Sequence, residues 1–117
     1  MFGLGVSHRY HLYRHPTDMR KSFDSLAGII QKELQASAQD GTAYIFINKS
    51  RDKVKILQWQ AGGFVLYYKR LESGRFELPV YDEAVTSIKL SYSQLVLLID
   101  GVSIAHVRGK KRYKVPV

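Results

Sequence analysis

Basic side chains interleaved with aromatic ones are the most chemically pointed feature of this 117-residue chain. Lys49, Arg51, Lys53 and Lys55 surround a turn and the stretch KVKILQWQ that follows it, while Lys69 and Arg70 come directly after Tyr67 and Tyr68. Lys and Arg hold phosphate oxygens by charge, and Tyr or Trp rings stack on exposed bases, so the pattern suits a nucleic-acid contact. The same residues have a plainer use. Val54, Ile56, Trp59, Phe64, Leu66 and Tyr68 fit the core of a sheet, the lysines fit a solvated face, and Lys69 or Arg70 can pair with Glu72. For the aromatics the core reading carries more weight.

Two further groups of cations stand out. Near the C-terminus, Arg108, Lys110, Lys111, Arg112 and Lys114 follow Asp100, the last acid, so five positive charges in seven residues have no local counter-charge. Such a tail suits either nucleic-acid contact or a solubilising end. Arg20 and Lys21 sit inside the block TDMRKSF, at the expected start of a helix, where positive charge opposes the helix dipole. They serve either to hold a phosphate or a partner's carboxylate together with the helix N-terminus, or to pair with Asp24 three or four residues on.

Catalytic constellations are not legible. Strand-transfer chemistry needs carboxylates that converge on Mg²⁺, yet Asp18 and Asp24 point in roughly opposite directions on the expected helix, Asp52 lies in a turn and Asp100 ends a helix. Asp18 is expected to cap its helix. His8, His11 and His15 are loosely grouped, but on a strand His11 and His15 lie roughly 13 Å apart, too far to share an ion without a bend. Gly3-Leu4-Gly5 and Gly62-Gly63 lack the Lys-Ser/Thr ending of a phosphate loop. The expectation is a protein that is not an enzyme, with no metal and no cofactor.

The elements that must position the cations follow from periodicity. Tyr10–Arg14 has strand composition and stops before Pro16. A helix is expected from Asp18 to Gln35, with Thr17 or Asp18 as its cap, because Met19, Phe23, Leu26, Ala27, Ile30 and Leu34 recur at spacings of three and four. Gly28 costs such a helix about 1 kcal/mol relative to Ala, which close packing against a neighbour would explain. The period then changes to two. Thr42–Asn48, Lys53–Gln60 and Phe64–Leu71 read as three strands joined by the turn Asn48–Asp52 and by Ala61-Gly62-Gly63, an antiparallel meander. Phe76–Val80 is a weak extended piece, Ala84–Leu90 one more strand, and Tyr92–Ile99 a short helix capped by Ser91 and closed by Asp100-Gly101. Ile104–Val107 has the composition of a last short strand. The fold class is α+β: a single domain with a mainly antiparallel sheet, a longer N-terminal helix and a short C-terminal one.

Length and charge narrow the function classes. One core serves a chain of this size, which excludes multidomain enzymes and repeat arrays. The 18 Lys+Arg against 10 Asp+Glu give a formal charge of +8, but residues 1–100 carry 13 basic and 10 acidic side chains, so most of the excess belongs to the tail. The absence of Cys removes disulfides and thiolate metal sites. With no signal-like N-terminus and no apolar run of about 20 residues, a cytoplasmic protein without membrane contact is expected.

Three ordered blocks carry a family likeness: HPTDMRKSFDSLAGII (His15–Ile30), RDKVKILQW (Arg51–Trp59) and GGFVLYYKRLESGRFELP (Gly62–Pro79), with LSYSQLVLLIDG as a closing helix. From about Tyr10 to Gly101 the chain resembles the Orf2-like accessory protein of the insertion-sequence-66 transposons, also called TnpB and unrelated to the RNA-guided nuclease of that name. It departs from that pattern at the link Gln35–Thr42, which is shorter, and at Gln58, where an aromatic residue is common beside Trp59. The resemblance divides the chain into an N-terminal segment 1–9, an accessory-protein domain 10–101 and a basic tail 102–117. It implies a non-catalytic role in DNA transposition beside a separate transposase. The expected partners are that transposase, DNA, or both; the alternative is an adaptor that docks on the transposase without touching DNA. Oligomeric state is not legible.

Overall fold

Alternation along Ala43–Ile47 sends Ala43, Ile45 and Ile47 to one side of a strand and Tyr44 and Phe46 to the other, and all five are buried. A strand buried on both faces needs a cover on each. The computed structural model, which describes residues 8–79 and 84–101, supplies both covers. The strands are β1 (Tyr10–Tyr13), β2 (Ala43–Ile47), β3 (Lys53–Gln60), β4 (Gly63–Arg70) and β5 (Ser87–Leu90); the helices are α1 (Phe23–Glu33) and α2 (Tyr92–Ile99). Leu26 and Ile30 of α1 pack on Tyr44, Phe46 and Leu57. On the opposite face Leu95, Leu98 and Ile99 of α2, with Phe76, cover Ile45, Val54 and Ile56.

The sheet order is β4-β3-β2-β1-β5. Pairs β2–β3, β3–β4 and β1–β5 are antiparallel, so the expected meander holds, but β1 runs parallel to β2 and the sheet is mixed. The reason is α1. Parallel neighbours need a crossover that carries the chain back to the end where the first strand began, and the segment containing α1 is long enough to do so. At the β3–β4 reversal, Ala61 (φ 45°) and Gly62 (φ 85°) are both left-handed, the two-residue hairpin geometry.

The expected helix Asp18–Gln35 is corrected to Phe23–Glu33, 11 residues against 8 for α2, and its cap is Ser22 instead of Thr17 or Asp18. The carbonyls of Met19 and Lys21 accept hydrogen bonds from Lys55 Nζ (2.8 and 2.7 Å), which occupies the acceptors a helix would offer to residues 23 and 25. Met19 nevertheless packs against the α1-side core, which is why it fits the helical stripe. The expected Ser91 cap and Gly101 closure (φ 79°) of the second helix are present, and the cap is a full capping box: Ser91 Oγ accepts from the Gln94 amide (3.1 Å) and Gln94 Oε1 accepts from the Ser91 amide (2.9 Å).

Close packing does not explain Gly28, because a Cβ built there meets nothing within 4 Å. Gly28→Ala should therefore raise the unfolding free energy by about 0.5–1 kcal/mol in a urea titration, through helix propensity and a less flexible unfolded chain. The expected extended piece at Phe76–Val80 is not a strand over residues 76–79; the Phe76 ring is fully buried and its amide donates to Arg51 O. The strand expected from Ala84 begins at Ser87. Ile104–Val107 and the basic tail lie outside the described residues. Gln58 is buried, and its Nε2 donates to Gly41 O (2.9 Å) in the link between α1 and β2. A polar side chain thus fastens that link to β3.

Candidate nucleic-acid interface

Three segments meet at one end of the sheet. Thr17 donates its amide to Ile47 O (2.9 Å), which ties the loop between β1 and α1 to the exit of β2. Asn48 organises the β2–β3 turn: its Oδ1 accepts the amides of Asp52 (3.1 Å) and Lys53 (2.9 Å), and its Nδ2 donates to Asp52 Oδ1 (2.7 Å). Arg51 occupies the left-handed region there (φ 59°). Between the Pro16–Arg20 loop, the Asn48–Lys53 turn and Tyr68 of β4 lies an open cleft of about 450 Å³. A smaller cavity of about 190 Å³ adjoins it, with Pro16, Asn48 and Lys49 in both walls and Arg14, His15 and Arg51 on its own side.

Two acids at this end are already engaged. The Arg20 guanidinium grips both carboxylate oxygens of Asp18, at 2.6 to 3.1 Å, and the Arg20 amide donates to Asp18 Oδ1. These bonds, the side-chain ones foremost, hold the Asp18 carboxyl down at about 2. Because that pKa lies below its unfolded value, the contact is complete above about pH 4 and is lost as pH falls toward 2. An NMR titration should therefore place the Asp18 midpoint near 2, and Arg20→Ala should return it to the ordinary Asp range of about 4. Asp52 is held down by its bond from Asn48 and, less strongly, by Lys53 at 3.4 Å. Lys49 and Arg51 are exposed, and neither makes an ion pair among the described residues.

Of the cations singled out in the sequence, Arg20, Lys49 and Lys53 line the cleft and Arg51 lines the adjoining cavity. Arg70 stands opposite Lys53 in the strand ladder and pairs with Glu72 (3.0 Å), as one sequence reading had it. Lys69 does not join that pair; it crosses to the other face and donates to Ile99 O (2.7 Å) at the end of α2. Lys55 is only 6% exposed and turns its ammonium inward. Lys21 is exposed just ahead of α1 and pairs with no carboxylate among the described residues; Arg20 pairs with Asp18, so the expected link to Asp24 is not made. Arg108, Lys110, Lys111, Arg112 and Lys114 lie outside the described residues.

Arg14 at this end was not singled out in the sequence, whereas His15 was weighed there with His8 and His11; Pro16 is the signal for Arg14, because a strand that must stop there leaves its last side chains at the sheet's exit. Arg14 Nε donates to Val85 O (2.9 Å), and His15 lies edge-on to Tyr13. His11 sits apart, against the Tyr44 ring, and burial lowers its pKa. Among the described residues no three His, Asp or Glu side chains are grouped so as to hold a metal ion, and no helix is long and apolar enough to cross a membrane. The aromatics divide between the two sequence readings: Trp59 and Phe64 pack edge to face (5.0 Å) beside the α1-side core, whereas Tyr68 is half exposed.

The chain is similar to two proteins of Sinorhizobium fredii. One, "Uncharacterized protein y4hO", is 34% identical over 90 residues, 77% of this chain and 76% of that protein; the other, "Uncharacterized protein y4jC", is 26% identical over 110 residues, 94% and 92%. No solved structure matches. The family model described as "IS66 Orf2 like protein" matches residues 8–109, past Gly101 and into the tail as far as Gly109. On this match the chain belongs to the IS66 Orf2-like family of insertion-sequence accessory proteins.

Proposed function

We propose that this chain is a non-catalytic accessory protein of transposition that holds DNA by its phosphate backbone, through the basic end of the sheet and the tail cations 108–114, and presents it to the transposase of the same element. The observation that carries this reading is the convergence of Arg20, Lys49, Arg51 and Lys53 onto adjoining cavities where Arg20 and Lys53 already neutralise the nearby acids Asp18 and Asp52, which leaves Lys49 and Arg51 without an acid partner among the described residues. Cations such as Lys49 and Arg51 on a concave surface attract a polyanion, and its counterions are released on contact. A second reading, an adaptor that docks on the transposase without DNA, is favoured by β4, an eight-residue strand at the margin of the sheet whose outer edge pairs with no strand among the described residues, the geometry that strand addition uses.

A pull-down from cells that hold the complete element, with and without nuclease, separates the two. The expected result is recovery of DNA with the chain and loss of the transposase on nuclease treatment. Transposase retained after nuclease, with no DNA recovered beforehand, supports the adaptor instead.

A further inference from the structure

Tyr68 is placed as a stacking platform, not as core. Phe23 and Tyr68 are the exposed Phe, Tyr or Trp side chains among the described residues, and only Tyr68 lines the basic cleft. It is 52% exposed, on the same sheet face as its ladder partner Lys55. The Lys55 ammonium lies 4.6 Å from the Tyr68 ring centroid and is itself fixed by the Met19 and Lys21 carbonyls. A buried, immobilised cation against the ring fixes the ring's orientation while about half its surface stays in solvent. Lys49 and Lys53 stand in the same cleft, whose volume of about 450 Å³ lies within the range of about 300–1,000 Å³ typical of small-ligand sites.

We propose that this cleft binds single-stranded DNA, with one unstacked base on the Tyr68 ring and the neighbouring phosphates on Lys49 and Lys53. The inference rests on the DNA-binding reading and adds a preference to it. A base inside a duplex has both faces covered and cannot reach a ring set in a cleft, whereas a single strand offers a free face. Phosphate contacts alone give no such preference.

The test is fluorescence anisotropy with the full chain, using a labelled oligo-dT strand and a duplex of equal length at low salt. Tyr68→Ala should weaken binding of the single strand about tenfold and leave the duplex unchanged, since one base–aromatic stack accounts for about that factor. Tyr68→Phe should restore single-strand binding, and Lys49→Ala should weaken both. Circular dichroism of each variant verifies the fold. Equal affinity of the Tyr68→Ala variant and the parent for the single strand overturns the inference while leaving DNA binding intact. Absence of binding to either probe by the parent chain overturns the DNA-binding reading as well.

Discussion

Replacing Lys55 by Met should lower the unfolding free energy by about 3 kcal/mol, the largest stability loss expected from any single cation in this fold. The side chain is 6% exposed, and its ammonium donates to Met19 O at 2.8 Å and Lys21 O at 2.7 Å. Hydrogen bonds to a charged donor contribute about 1.5–3 kcal/mol each, and Met would leave both carbonyls unsatisfied at a half-buried site. The desolvation that the lysine no longer suffers offsets part of this. The loop from Pro16 to Ser22 loses its tether to β3 in the same step. In a urea titration the midpoint should fall by roughly 2 M, given a slope of about 1–3 kcal/mol/M. An unchanged midpoint would show that the loop is held by its other contact, Thr17 to Ile47.

The second large effect concerns binding. Lys49→Ala combined with Arg51→Ala removes the two turn cations that have no acid partner among the described residues. Arg51 is left-handed with φ 59°, but Ala carries the same Cβ, so backbone strain is the same in parent and variant. Each phosphate contact contributes about 0.9 to the slope of log affinity against log salt. Loss of two should make that slope shallower by about 1.8 and weaken DNA binding roughly 60-fold at about 0.1 M salt. An unchanged slope would transfer the contact from the turn to the tail cations 108–114.

Much of the body was legible because its strands and second helix follow local rules. Lys53–Gln60 and Tyr92–Ile99 have the bounds that alternation and the Ser91 cap imply. What local rules could not show is any effect that depends on a distant partner. The helix starts at Phe23 because Lys55, more than thirty residues on, takes two of its prospective carbonyls. The parallel pairing of β1 and β2 depends on which strands become neighbours, information that periodicity does not contain. At the interface, residue type marked the cations, but their use was decided by register. Lys53 and Lys55 lie two residues apart on one strand face; Lys53 lines the cleft, while Lys55 turns under Tyr68 and inward. Arg14 was missed because a strand end followed by proline reads as termination, not as a site.

The central claim is that this member of the IS66 Orf2-like family acts on DNA through backbone charge. The most direct measurement is the affinity of the full chain for a labelled DNA over a series of salt concentrations. The prediction is a linear fall of log affinity for duplex DNA with log salt, with a slope of about −3 from Lys49, Arg51 and Lys53 and about −7 if the five tail cations also contact phosphates. Absence of binding at low salt, or an affinity that does not change with salt, would contradict it.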